Sequence, residues 1–447
     1  MVTFTACRSK AELVVPARTT PREVKSLSDL DNQPGLRKYV SIIEFFRCRR
    51  VPGGDPATSL KAALAEALVH YYPIAGRLRE LPGGKKLAVD CTAEGVVFVE
   101  AHADVRLEEF GEPLVPPYPC VDQFICDVGD VTAVIGMPLL YLQMTRLRCG
   151  GVILVLSMCH SIIDAFGMVQ VLRCILDLAR GQPLPAILPS WDRHLLTSPV
   201  AEAAAFDSSE PTAVAIPPAP LSLDELVTRS FLFGPRAIAA LRSGIPTRLG
   251  RSATAFELVT AAVWRCRAAA LEQGPGERVC VKFTANARGR WKRDRSLPPG
   301  FYGNALFITM AEATAGELSL TRAVELVREA KLRVMTDEHV RSVLDMMARG
   351  HREFRGTDLD QLDSTFMVSD ITRCGDETLD LGWAERVGGG VPMAGEIMDR
   401  VISFYMTSKD ANGVDCVVVP MCLPEPAMGR FASLISAATN VVARSSM

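Results

Sequence analysis

Residues 150–179 read GGVILVLSMCHSIIDAFGMVQVLRCILDLA, and this stretch decides the fold class. Residues 152–157 form a strongly apolar run, which is typical of a strand buried on both faces of a sheet. The five residues that follow shortly after, 160–164, read HSIID. Apolar residues at helical spacing then predict a helix over residues 164–179, and they are Met168, Val171, Leu172, Ile175 and Leu176.

Strands and helices alternate on both sides of this stretch. Helical spacing recurs in residues 60–68, 255–270 and 317–335, and apolar runs that predict strands occupy residues 87–89, 96–99, 279–286 and 414–421. This alternation predicts an α/β fold with mixed β-sheets flanked by helices. A chain of 447 residues is longer than one hydrophobic core usually accommodates, which predicts two domains. Prolines cluster in residues 181–220, so we predict an N-terminal domain over 1–180, a linker over 181–220 and a C-terminal domain over 221–447.

The overall composition excludes several classes of protein. With 49 basic and 51 acidic side chains, the chain has no general attraction to nucleic acid or to an anionic membrane. Six scattered histidines and thirteen cysteines without a Cys-x-x-Cys pair predict no metal site. No apolar run approaches the ~20 residues of a membrane span, and the first residues lack a signal-peptide core, which predicts a cytoplasmic protein. The final Ser445-Ser446-Met447 loosely resembles a peroxisomal import tripeptide, so a peroxisomal location stays open.

The pattern His160-x-x-x-Asp164 is the sharpest chemical feature. A histidine at the end of a buried strand is held rigidly, and its neutral imidazole accepts a proton near cellular pH. A carboxylate four residues later can fix the loop by pairing with an arginine rather than by touching the imidazole. Taken alone, a single histidine before a helix is more often structural than catalytic.

A second feature, Asp380-Leu381-Gly382-Trp383, lies some 220 residues later. Glycine between large apolar residues marks a tight turn, and an aspartate there can lock the turn by pairing with an arginine. By itself this pattern fits any turn.

Together the two features resemble the plant BAHD acyltransferases, with their His-x-x-x-Asp-Gly site and Asp-Phe-Gly-Trp-Gly motif. The resemblance covers essentially the whole chain in order. Further matching segments are residues 27–31 (LSDLD), 72–78 (YPIAGRL), 256–257 with 264–267, 286–288 (NAR) and 302–304 (YGN). Leu381 and Ala384 depart from the second motif, and Ala165 replaces the glycine that commonly follows the aspartate.

The resemblance implies two similar-sized α/β domains with a channel between them, and a monomer. It implies that His160 is the general base for direct acyl transfer from acyl-CoA. Acyl-CoA is then a cosubstrate, and no cofactor is bound. The resemblance does not indicate which residues contact CoA. It makes Asp164 structural, paired with Arg288, and Ser369 an oxyanion donor, although Ile371 stands where many members carry Trp. It also implies a structural role for the motif of Asp380, Gly382 and Trp383, which we assign to the C-terminal domain.

The scaffold resembles most the benzyl alcohol O-benzoyltransferase branch, through residues 89–92, 116–120 and 145–151. We therefore expect benzoyl-CoA as donor and benzyl alcohol or a similar small alcohol as acceptor. Hydroxycinnamoyl or acetyl donors and an amine acceptor stay open. Two further hypotheses are a non-catalytic binding protein and a condensation-type enzyme that receives its acyl group from a carrier protein.

Overall fold

A computed structural model describes residues 4–51, 53–83, 86–199, 226–288, 296–334, 336–349, 364–393 and 402–439. The chain divides into two compact units of similar size. Unit 1 comprises Met1–Ser198, Lys292–Ala305 and Arg373–Pro392, and unit 2 comprises Pro199–Trp291, Leu306–Thr372 and Met393–Met447. Both contain mixed sheets and helices, which confirms the predicted α/β class.

Unit 1 is built on a seven-stranded and a three-stranded sheet. Its described strands are β1 (Ala6–Arg8), β2 (Glu12–Val14), β3 (Val24–Ser26), β4 (Tyr39–Cys48), β5 (Arg77–Glu80), β6 (Leu87–Asp90), β7 (Val96–Ala103), β8 (Leu140–Leu147), β9 (Val152–Cys159) and β14 (Ala384–Gly390). The larger sheet has the order β1-β7-β8-β9-β4-β14, with β2 also paired to β7; the smaller has the order β3-β6-β5. Among these described strands, β7 and β8 run parallel and the remaining neighbours are antiparallel.

Two helices, α1 (Pro56–His70) and α2 (Ala165–Ala179), pack on each other in unit 1. Asp55 caps α1 by accepting from the backbone N–H of Thr58, and Pro56 occupies the first turn, where its missing N–H costs nothing. All eight residues of β9 are buried, as its apolar run predicts. Each such fully buried large aliphatic side chain contributes about 1.5–3 kcal/mol.

Unit 2 contains one six-stranded sheet of order β10-β16-β15-β13-β11-β12. The strands are β10 (Leu226–Phe233), β11 (Arg278–Asn286), β12 (Leu306–Thr314), β13 (Thr365–Asp370), β15 (Ile402–Lys409) and β16 (Asp415–Pro424). Its described helices are α3 (Pro235–Ser243), α4 (Thr247–Gly250), α5 (Ala255–Ala270), α6 (Leu320–Val334), α7 (Asp337–Ala348) and α8 (Glu425–Thr439). Helix α5 begins with a capping box between Thr254 and Glu257, and its Trp264 lies in the core of this unit.

The structure corrects the predicted domain limits in two places. The Asp380–Trp383 motif, predicted in the C-terminal domain, lies in unit 1, because β14 directly after it pairs with β4. Residues 181–198, predicted as linker, also belong to unit 1, where Arg193–Leu196 form a 3-10 turn. The rest of the predicted linker, apart from Pro199, lies outside the described residues.

Candidate active site

His160 lies directly after β9, as the first residue of a 3-10 turn, His160–Ile162. Its backbone N–H donates to the carbonyl of Lys38 at 2.8 Å. Its ring Nδ1 lies 2.9 Å from the carbonyl oxygen of Ile163. Because a carbonyl oxygen only accepts, Nδ1 carries the hydrogen in the neutral ring and Nε2 carries the lone pair. The turn therefore fixes which nitrogen of His160 is basic.

The surroundings of His160 favour its neutral form. Burial lowers the pKa of the imidazole below its ordinary value, and the charge of Lys38 acts in the same direction. Asp164 and the hydrogen bond to Ile163 oppose this by raising the pKa, but they do not outweigh burial. A neutral imidazole at cellular pH is the form that accepts a proton.

Asp164 is the N-cap residue of α2, and its side chain is fully buried. One carboxylate oxygen accepts from the backbone N–H of Gly167 at 3.0 Å, and the other accepts from that of Ala305 at 3.0 Å. This carboxylate therefore joins the start of α2 to the segment that ends at Ala305. Both of these bonds are made to backbone N–H groups rather than to the imidazole. The structural role of Asp164 stays a prediction.

The Asp380 motif forms the tight turn that its glycine indicates. The Asp380 carboxylate accepts from the N–H of Gly382 at 2.7 Å, and Gly382 has a φ of +78°, where glycine is favoured. Two arginines approach the same carboxylate, Arg49 at 3.6 Å and Arg180 at 3.8 Å. The carbonyl of Trp383 accepts from the N–H of Arg49 at 2.9 Å. The arginine pairing predicted from the sequence is present.

Ser369 and Arg288 belong to unit 2. Ser369 is buried on β13, and its hydroxyl lies 3.4 Å from that of Thr284. The backbone N–H of Arg288 donates to the side chain of Asn286 at 2.9 Å. The predicted pairing of Arg288 with Asp164 and the oxyanion role of Ser369 both stay predictions.

Three further residues hold the His160 turn, and the sequence interpretation missed their role. Asn304 donates through its amide to the carbonyl of His160 at 2.8 Å and to Asp31 at 2.8 Å. Arg193 donates to the carbonyl of Ile162 at 2.7 Å and pairs with Asp31 at 3.4 Å. Asp31 and Asn304 are visible in the sequence only as parts of family signatures. Arg193 falls in the predicted linker, where an isolated Trp-x-Arg among prolines is the available signal.

The described residues lack membrane-spanning helices and metal-binding clusters. None of their helices combines the length and the apolarity that crossing a membrane requires. Over the same residues, no group of three His, Cys, Asp or Glu side chains is arranged to hold a metal ion. The Ser445-Ser446-Met447 tripeptide lies outside the described residues.

Sequence comparisons identify relatives along nearly the full chain. The Transferase family matches residues 2–437. Acyl transferase 1 of Oryza sativa subsp. japonica is 48% identical, with 96% of this chain and 95% of that protein covered. Benzyl alcohol O-benzoyltransferase of Nicotiana tabacum is 44% identical, with 96% and 92% covered. Spermidine hydroxycinnamoyltransferase 1 of Oryza sativa subsp. japonica is also 44% identical, with 91% and 93% covered.

Solved structures share the fold. Vinorine synthase superimposes with a TM-score of 0.73 at 21% identity, covering 98% of this chain and 99% of that one. Fusarium graminearum TRI101, complexed with coenzyme A and T-2 mycotoxin, gives a TM-score of 0.70 at 16% identity, covering 91% and 96%. With the fold and relatives in agreement, the chain belongs to the Transferase family, the BAHD acyltransferases, and is an acyl-CoA-dependent acyltransferase.

Proposed function

We propose that this acyltransferase moves an aromatic acyl group, benzoyl first among them, from CoA to a small alcohol such as benzyl alcohol, with His160 as general base. Acyl-CoA as cosubstrate, the absence of a bound cofactor or metal, and a monomeric chain are parts of the same proposal. The observation that carries it is the fixed imidazole of His160. Its Nδ1 is held by the Ile163 carbonyl, and its pKa is lowered by burial.

The proposed step is a direct transfer. Nε2 of His160 accepts the hydroxyl proton of the acceptor as the acceptor oxygen bonds to the thioester carbonyl carbon. The resulting oxyanion collapses, the carbon–sulfur bond breaks, and the CoA sulfur leaves as a thiol after receiving the proton. Ser369 is the proposed hydrogen-bond donor to the oxyanion. Asp164 keeps the proposed structural role, with Arg288 as its partner.

The choice of substrate is supported by relatives rather than by a substrate contact. A benzyl alcohol O-benzoyltransferase at 44% identity favours an alcohol acceptor and a benzoyl donor. A spermidine hydroxycinnamoyltransferase at the same identity supports a second candidate function, amide formation on an amine with a hydroxycinnamoyl donor. Both candidates use the same proton transfer at His160.

The first test compares native enzyme with His160→Ala, by thiol release and by ester formation from benzoyl-CoA and benzyl alcohol. Removal of a general base should lower kcat by at least ~100-fold. His102→Ala is the matched control, because this histidine is 63% exposed on β7 and should retain full activity. A folded His160→Ala protein with native activity would contradict the mechanism.

A panel of substrates separates the two candidate functions. Benzoyl-CoA, hydroxycinnamoyl-CoA and acetyl-CoA are each offered with benzyl alcohol and with spermidine, at equal concentrations. The proposal requires the highest kcat/KM for benzoyl-CoA with the alcohol. A higher value for a hydroxycinnamoyl donor with spermidine would replace the alcohol function by the amine function, while leaving the role of His160 intact.

A further inference from the structure

Arg193 is an arginine whose side chain is only 2% exposed, within a segment rich in proline. Three aromatic rings surround its guanidinium, with centroids at 4.4 Å for Trp191, 5.2 Å for Phe301 and 5.0 Å for Tyr302. Gly303 lies against the same group, because a Cβ there would come within 0.9 Å of a guanidinium nitrogen. A desolvated cation against aromatic faces is held strongly in one orientation.

The polar contacts of Arg193 lead towards the His160 turn. One guanidinium nitrogen donates to the carbonyl of Ile162 at 2.7 Å, and another pairs with Asp31 at 3.4 Å. Asp31 is fully buried and accepts through its other oxygen from the side chain of Asn304 at 2.8 Å. Asn304 in turn donates to the carbonyl of His160 at 2.8 Å. The buried carboxylate of Asp31 thus contacts both donors to the turn, Arg193 and Asn304.

The orientation of the Ile162 carbonyl bears on the imidazole through one peptide unit. A peptide group is planar, so holding the Ile162 oxygen also fixes the N–H and Cα of Ile163. Ile163 is extended, with φ −160° and ψ 144°, and its own carbonyl receives Nδ1 of His160. Rotation of the first peptide plane would therefore move the acceptor that determines the tautomer of the imidazole.

We propose that Arg193 is a positioning residue for His160, acting through the carbonyls of Ile162 and Ile163. This inference rests on the proposed role of His160 as general base. Lysine is a poor replacement at such a site, because a single ammonium lacks the planar fork that pairs with Asp31, donates to Ile162 and stacks on the rings.

The test is a double-mutant cycle of Arg193→Lys with His160→Ala, with kcat and KM measured for benzoyl-CoA and benzyl alcohol. Alone, Arg193→Lys should lower kcat by up to about 100-fold, the size expected when a catalytic group is displaced, with little change in KM. In the His160→Ala background it should have no further effect, because Arg193 acts through the missing ring. Arg77→Lys is the matched control, since Arg77, like Arg193, donates to backbone carbonyls, in its case those of Gly76 and Gly95.

A second pair of variants serves if Arg193→Lys does not fold. Trp191 is partly exposed, so its replacement is tolerated more easily than that of the buried arginine. Trp191→Leu removes one face of the aromatic surroundings and should lower kcat, whereas Trp191→Phe keeps an aromatic face and should restore most of it. Equal activity of the two Trp191 variants would overturn the proposal.

Nitrogen-15 NMR of labelled histidine gives a readout that does not depend on turnover. The His160 signal, assigned by its loss in His160→Gln, should report a protonated Nδ1 in the native enzyme and a mixture of tautomers in Trp191→Leu. If His160→Ala retains activity, the proposed function fails and this inference with it. Two outcomes would contradict the positioning role alone, given that His160→Ala has lost its activity. In one, Arg193→Lys has the native kcat; in the other, Arg193→Lys lowers kcat by the same factor in the native and in the His160→Ala background.

Discussion

At the residue scale, one carbonyl oxygen determines the chemistry available to His160. The position of this histidine after an apolar strand, with an aspartate four residues on, makes it a candidate in the sequence, and the family resemblance is what selects it as the predicted base. Its tautomer is not predictable in the same way, because the direction of the Ile163 carbonyl depends on the turn. The donors that hold that turn are Arg193 and Asn304, and both contact the carboxylate of Asp31. All three residues are remote from His160 in the sequence.

Ser369 is the residue for which a mutation decides most directly between two roles. Ser369→Ala should lower kcat by about 100-fold with little change in KM, because a donor to an oxyanion acts mainly in the transition state. The measurement is steady-state kinetics of thiol release on enzyme whose folding is verified by circular dichroism. The matched control is Ser403→Ala on the neighbouring strand, which loses a hydrogen bond to the Pro420 carbonyl and should keep its kcat. Equal effects of the two variants would leave Ser369 as ordinary sheet packing.

At the element scale, α2 is fixed at both of its ends. Asp164 bonds its first turn and the segment at Ala305, and Arg180 after its last residue approaches Asp380. The helix is predictable because its apolar stripe has regular spacing. The contact at its end is not, because Asp380 is 200 residues away and its pairing is set by the sheet.

Replacement of Asp164 by asparagine tests this anchoring. An amide offers one acceptor oxygen, so Asp164→Asn leaves either the Gly167 or the Ala305 N–H without its bond and should lower the free energy of unfolding by about 1–3 kcal/mol. Urea unfolding measures it. Asp55→Asn at the exposed start of α1 is the control, and it should cost only a few tenths of a kcal/mol because asparagine caps helices as well as aspartate. A change in Asp164→Asn no larger than in the control would show that the two backbone bonds contribute little.

At the scale of the whole molecule, each unit is assembled from separate stretches of the chain. The sequence indicates strands and helices because their patterns are local. It does not indicate that β14 joins the sheet of unit 1, because strand pairing is decided by burial between distant segments. Composition supports one division of the chain, at the proline-rich linker predicted over 181–220. That division misses the two later stretches that belong to unit 1, Lys292–Ala305 and Arg373–Pro392.

The insertion of β14 also creates a buried charged cluster in unit 1. Arg386 on β14 bonds to Glu44 on β4 at 2.5 Å and to Asp376, and all three side chains are less than 10% exposed. One guanidinium therefore faces two carboxyl groups away from water. Burial raises the pKa of Glu44 to about 8, although Arg386 opposes the shift.

This cluster predicts how the stability of the fold depends on pH. Between the ordinary Glu44 pKa of 4.5 and the folded value of about 8, the folded chain holds a proton that the unfolded chain has released. The free energy of unfolding should therefore fall as the pH rises through this range, by at most about 1.4 kcal/mol per pH unit for this group. Glu44→Gln keeps the shape of the side chain but removes its titrating group. The free energy of unfolding of this variant should therefore decrease less steeply with pH. Urea unfolding of both proteins at several pH values measures it, with Glu100→Gln, a more exposed partner of Arg146, expected to keep the native slope. An unchanged slope in Glu44→Gln would mean that Glu44 is ionised in the folded enzyme throughout this range and that Arg386 outweighs its burial.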